Sequence, residues 1–71
     1  MRNKFAERLK ELREESGLSQ DQLSIALGRE ITPSAIGLWE LKKRVPNLEA
    51  VMIIADYFGV SIDYLAGRED W

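Results

Sequence analysis

Cysteine is absent from the 71 residues, and so is histidine. The first absence excludes disulfides and thiolate metal sites. The second removes the commonest general base and the commonest zinc ligand. There is no apolar run long enough to span a bilayer and no signal-peptide core at the N-terminus. The chain therefore reads as a soluble cytoplasmic domain with no membrane partner. Basic charge is also short: 10 Lys and Arg against 12 Asp and Glu leave a net −2. A nucleic-acid binder usually carries a basic footprint, so charge distribution rather than the sum must support any such reading. A chain this short makes one domain, residues 1–71, and buries only about 60% of its unfolded surface. That leaves little room for an elaborate catalytic cleft. No cofactor, metal or small-molecule substrate is expected, and the chain does not read as an enzyme. Asp63 and Glu69 lack an accompanying nucleophile, metal ligand or apolar cleft and are read as solvated.

What is present is a series of short helical units divided by stop signals. The first runs from about Arg2 to Ser16, with Phe5, Leu9 and Leu12 in one apolar stripe and Gly17 as its stop. Ser19-Gln20-Asp21-Gln22 fits a capping box that opens the second unit. Leu23, Ala26 and Leu27 are its expected inner face, and Gly28 ends it. In the third unit Thr32 suits the N-cap and Pro33 the first helical position. Ile36 and Trp39 share a side, which predicts a buried Trp39. Asn47 caps a fourth unit whose expected stripe is Leu48, Val51, Met52, Ala55 and Phe58, ended by Gly59. Ser61 caps a short fifth, with Ile62 and Leu65 expected inward and Gly67 as the stop. Nothing alternates with a period of two, so no sheet is expected. The fold class is all-α, a compact five-helix bundle.

The segments "LKELREESGLSQDQLSIALG", "PSAIGLWE" and "VPNLEAVMIIADYFGVSIDYLAG" together resemble the lambda-repressor-like helix-turn-helix domains, the Cro/CI-type or XRE regulators. The resemblance covers about Phe5 to Gly67. It implies that helices 2 and 3 form a helix-turn-helix with helix 3 in the major groove. It also implies double-stranded DNA as partner, a role in transcription regulation, and a repressor acting as a homodimer on a pseudo-palindromic operator. Gln20 matches a glutamine that holds a DNA phosphate, with Ser19 beside it on the same surface. Pro33, Ser34 and Leu38 match base-contacting positions. Lys43 and Arg44 fall in the loop that grips the backbone. Arg13 and Glu40 match an interhelical ion pair, and Ile62 and Tyr64 match subunit contacts. In three places the sequence departs from the pattern. Arg29 and Glu30 lengthen the turn between helices 2 and 3. Leu41-Lys42 replaces a more usual polar-Gly pair, which would let helix 3 run on. The base-contacting positions are small or apolar.

Guanine is usually read by Arg or Lys and adenine by Asn or Gln, and neither kind lies between Thr32 and Leu38. Pro33, Ala35 and Leu38 can still pack on thymine methyls, while Thr32 and Ser34 can donate or accept. Gln20, Lys42, Lys43, Arg44 and Arg29 are the candidate phosphate contacts, which supply affinity without sequence information. The expected operator contains A·T pairs, read by methyl packing and deformability, with weak non-specific binding at physiological salt. Gly37 either allows close approach to DNA or packs against helix 2. Ile53 and Tyr57 form either scattered exposed apolar surface or, with Tyr64 or Trp71, a patch that a partner covers. The alternative function is a protein-interaction module, an adaptor or antitoxin, on the same fold.

Overall fold

The structure is a computed structural model that describes residues 3–69. Arg2, the expected start of the first helix, and Trp71, a candidate patch residue, lie outside the described residues. The architecture is all-α: α1 (Phe5–Glu15), α2 (Gln20–Ala26), α3 (Pro33–Glu40), α4 (Leu48–Phe58) and α5 (Ile62–Ala66). There is no strand among the described residues.

The helix starts follow the capping residues read from the sequence. Ser19 Oγ accepts from Gln22 N at 3.0 Å while Gln22 Oε1 accepts from Ser19 N at 2.8 Å, closing the capping box. Thr32, Asn47 and Ser61 accept from Ala35, Ala50 and Tyr64 amides in the same way. Each satisfies a donor that the first helical turn leaves open. The first helix begins later than expected, at Phe5, where the Asn3 side chain accepts the Phe5 amide at 3.0 Å.

All five helices close with paired backbone bonds around one left-handed residue, such as Leu18 N to Arg13 O at 3.1 Å and Val60 N to Ala55 O at 3.0 Å. At four of the ends that residue is glycine; at the end of α3 it is Lys42, with φ 63°. Lys43 N donates to Leu38 O at 2.9 Å and Lys42 N to Trp39 O at 3.0 Å. Helix 3 therefore stops at Glu40 instead of running on. The closing bonds outweigh the left-handed cost of a side chain, about 1–2 kcal/mol.

The core comprises Phe5 and Leu9 of α1, Leu23 and Leu27 of α2, Ile31, Ile36 and Trp39, then Ala50, Ile54 and Ala55 of α4, and Leu65 of α5. Phe5 meets Trp39 edge-to-face with ring centroids 6.0 Å apart. Helix α3 packs against α2 and α1, and α5 against α4 and α1. Arg8 ties α1 to α5 by donating to the carbonyls of Tyr64 and Glu69 and by lying 4.2 Å above the Tyr64 ring.

Three inner faces differ from expectation. In α2, Ala26 is exposed and Ser24 is buried in its place. Ser24 Oγ donates to Ile31 O at 2.6 Å, so a buried hydroxyl pins the lengthened turn before α3. In α4, Leu48 and Met52 are 67% and 48% exposed, and Ala50 and Ile54 face inward instead. Only Glu49 and Asp56 are polar in this helix, so the apolar residues alone cannot fix its rotation. Those two polar residues, seven apart, share a face, and Val51, Ile54 and Phe58 lie opposite it. In α5, Ile62 is 39% exposed while Leu65 is buried. A five-residue helix has too few turns to bury both.

Candidate nucleic-acid interface

The helix pair α2–α3 is held by a network centred on Glu40. Arg13 Nε donates to Glu40 Oε2 at 2.7 Å and Arg13 Nη2 to Glu40 Oε1 at 3.0 Å. Arg13 Nη1 donates to Leu18 O at 2.8 Å, and Gln20 Nε2 donates to Glu40 Oε1 at 3.3 Å. The ion pair is largely shielded from solvent, with the Arg13 and Glu40 side chains 12% and 5% exposed. The Arg13 guanidinium is held above its ordinary range, chiefly by the Glu40 hydrogen bond, against the opposing effect of burial. One carboxylate thus fixes α1, the α1–α2 turn, α2 and α3 to one another.

Gly37 belongs to this junction. A Cβ built there would sit 3.2 Å from Gln20 Oε1 and 3.5 Å from Gln20 Nε2. Of the two readings of Gly37, the geometry supports close packing against helix 2. The missing side chain leaves room for the Gln20 amide that Glu40 orients.

Around the starts of α2 and α3 the chain forms a shallow depression lined by Arg13, Ser19, Gln20, Asp21, Pro33 and Ser34. Four of the sequence-predicted interface residues, Ser19, Gln20, Pro33 and Ser34, are thus brought together. Asp21 was not foreseen there, and its carboxylate opposes an anion at the same edge. Leu38 follows Ser34 by four residues and is half-buried outside the core cluster. Leu41, a further turn along, is 66% exposed. It is absent from the sequence-predicted set, because the base-contacting positions implied by the resemblance end at Leu38. The outward edge of α3 is therefore Ser34, Leu38 and Leu41, with no charge and one hydroxyl.

The remaining candidates are spread more widely. Thr32, Ala35 and Arg44 line a second groove, between α3 and the start of α4, and Ala35 also packs on the core. Lys42 and Arg44 line a third groove with Lys4, Glu7 and Phe5. Lys43 is exposed. Arg29 is exposed at φ 68° in the turn and lines none of these grooves. Of the candidate partner residues, Tyr57 is 45% exposed. Ile53 is half-buried and packed on the core, so it is neither scattered exposed surface nor the centre of a free patch. Tyr64 is half-buried, under the Arg8 guanidinium.

Comparison with known proteins adds to this geometry. A family profile described as "Helix-turn-helix" matches residues 9–65. The chain belongs to the helix-turn-helix family. Its type is the Cro/CI or XRE one, in agreement with the resemblance carried by the three motifs. The chain is 38% identical over 66 residues to "HTH-type transcriptional activator BcrR" of Enterococcus faecalis, covering 93% of this chain and 31% of that protein. It is 33% identical over 66 residues to "Uncharacterized HTH-type transcriptional regulator YobD" of Bacillus subtilis (strain 168), covering 93% of this chain and 57% of that protein. A prophage-derived regulator of the same organism, YonR, is 38% identical over 61 residues, covering 86% and 55%. The chain thus spans from about a third to just over half the length of these relatives. No solved structure gave a significant match. Among the described residues no helix is long and apolar enough to cross a membrane.

Proposed function

We propose that this helix-turn-helix chain is a sequence-specific DNA-binding transcriptional regulator, with α3 in the major groove. The observation that carries the reading is the meeting of Gln20 with Pro33 and Ser34 around one depression at the starts of α2 and α3. A structural role alone does not require a polar amide there, aligned by a buried carboxylate and facing an uncharged helix edge. Lys43 and Arg44 beyond α3, with Lys42, supply backbone contacts. Family membership and the names of the relatives support a regulator and give no support to an enzyme.

The finer reading follows from the chemistry of α3. Leu38, Leu41 and Pro33 offer methyl packing to thymine, and Ser34 and Thr32 offer hydroxyls. The operator is accordingly A·T-containing and is read partly through deformability. The protein acts as a homodimer on a pseudo-palindrome, with Tyr57 and Ile62, exposed on either side of the Gly59 turn, as the contact surface. Repression by occupying a promoter is the mode we assign, since it needs only the DNA-binding surface. The relative from Enterococcus faecalis is named an activator, and the position of the operator decides the sign. Selection of duplexes from a random pool should return A·T-containing half-sites about 10 bp apart. A G·C-rich consensus at the half-site centre, or single unpaired sites, would contradict this reading.

A second reading is favoured by one observation. Leu41, Val45 and Leu48 are each more than 60% exposed along the connection from α3 into α4. Apolar surface of that extent suits a protein partner, as an adaptor or antitoxin would have. The same selection distinguishes the two, because an interaction module would enrich no sequence.

A further inference from the structure

Lys42 combines a left-handed backbone at a helix end with an ion pair to a different helix. Its backbone is left-handed, φ 63°, at the position where the other four helix ends carry glycine. The closing bonds offset the cost of that conformation, and a side chain in place of glycine puts an ammonium at this helix end. The use visible in the structure is a reach back to α1, where Lys42 Nζ donates to Glu7 Oε1 at 2.7 Å. Both side chains are largely in solvent, 64% and 50% exposed. Such pairs contribute little to stability because water and salt screen them. The Glu7 carboxyl is held below its ordinary range, first by the Lys42 hydrogen bond and then by its charge, so Glu7 is ionised at neutral pH. Lys42 is also the first cation of the Lys42–Arg44 run, and it shares a groove with Arg44, Lys4 and Glu7.

We propose that Glu7 is a built-in competitor for DNA phosphate at Lys42, so that a backbone contact there is an exchange of one anion for another. This rests on the DNA-binding reading given above. Carboxylate and phosphate oxygens accept from the same ammonium donors. An ammonium already neutralised within the chain gains less from a phosphate than a free one. Salt weakens an exposed pair, so the competition is strongest at low salt and fades as salt rises. Glu7 thereby moderates the low-salt grip of the loop without touching the base-reading edge of α3.

The experiment measures binding to a short generic duplex across a salt series for the whole chain, three single variants and one double variant. Glu7→Gln should bind about two- to fivefold more tightly at low salt, with the gap closing as salt is raised. Glu11→Gln removes the same charge one turn along the exposed surface of α1 and should change binding much less. In a Lys42→Gln background, Glu7→Gln should have no more effect than Glu11→Gln. Equal effects of Glu7→Gln and Glu11→Gln would reduce the result to net charge and overturn the proposal. A Glu7→Gln effect that survives loss of Lys42 at full size, or weaker binding by Glu7→Gln, would overturn it as well. If the wild-type chain binds but shows none of these differences, the competitor fails and the DNA-binding reading stands. If no variant binds duplex at any salt, the DNA-binding reading itself fails.

Discussion

Replacing Glu40 with alanine is expected to destabilise the protein by about 3–5 kcal/mol. Glu40 is 5% exposed and accepts from Arg13 Nε, Arg13 Nη2 and Gln20 Nε2. Its removal leaves the Arg13 guanidinium, 12% exposed, with the Leu18 carbonyl as its remaining hydrogen-bond acceptor and the Glu14 charge nearby. An arginine cannot neutralise itself by losing a proton, so the buried charge stays uncompensated. Whole domains are stable by only about 5–15 kcal/mol, which leaves the variant close to its unfolding limit. At this size each kcal/mol corresponds to about 4–8 °C, so Tm should fall by at least about 12 °C. Urea denaturation gives the free energy directly. A loss below about 1 kcal/mol would mean that the pair behaves as a surface ion pair, contrary to its burial. Replacing both partners by apolar residues, Arg13→Met with Glu40→Leu, should be less harmful than Glu40→Ala, since no lone charge remains. It should still impair DNA binding, because Gln20 loses the acceptor that orients its amide.

Neutralising Lys42, Lys43 and Arg44 together, each to Gln, should affect DNA binding far more than folding. All three are exposed, and the Lys42–Glu7 pair lies at the surface. Stability should therefore change little, since solvent and salt screen such a pair. Removing one phosphate-binding cation lowers the slope of log affinity against log salt by about one. The triple variant should then lose about three from that slope and bind more weakly to every sequence alike. Base preference in a selection should stay the same, since phosphate contacts position the protein and base contacts specify the site. A changed consensus with an unchanged slope would place base reading in the loop and contradict the assignment of α3. The acidic balance, 12 Asp and Glu against 10 Lys and Arg, gives this short cationic run a large share of the electrostatic attraction. Asp21 at the edge of the depression adds to that dependence.

Features governed by local chemistry were legible in the sequence. Ser19, Thr32, Asn47 and Ser61 each bond the helix they were expected to cap, because an N-cap needs only a side-chain oxygen near the next turn. The burial of Trp39 follows from its spacing to Ile36, and the Arg13–Glu40 pair is present as the family resemblance implied. What failed depended on tertiary choice. The expected inner stripe ran through Leu48 and Met52, but nine of the eleven residues of α4 are apolar, so apolar spacing alone does not fix the rotation. The two acids, Glu49 and Asp56, carried the deciding signal, and the rotation they set leaves Leu48 and Met52 outside. Ser24 was unreadable as a buried residue, because its partner is the Ile31 carbonyl in a turn whose path the sequence does not specify. Leu41-Lys42 has the look of a missing stop signal, yet the chain stops there, with Lys42 in the left-handed conformation in place of glycine. At the site, Gln20, Pro33 and Ser34 line one depression, and Asp21 joins them unforeseen.

The most direct test of the central claim, that the edge of α3 and its flanks face DNA, is an amide chemical-shift titration. The labelled protein is titrated with an A·T-containing duplex at low salt, where phosphate attraction is strongest and no operator need be known. The account predicts shifts at Gln20, from Thr32 to Leu38, and from Lys42 to Arg44, all reversed by added salt. An unmoved spectrum, or shifts gathered instead on Leu48, Met52 and Tyr57 of α4, would contradict it and turn the search toward a protein partner.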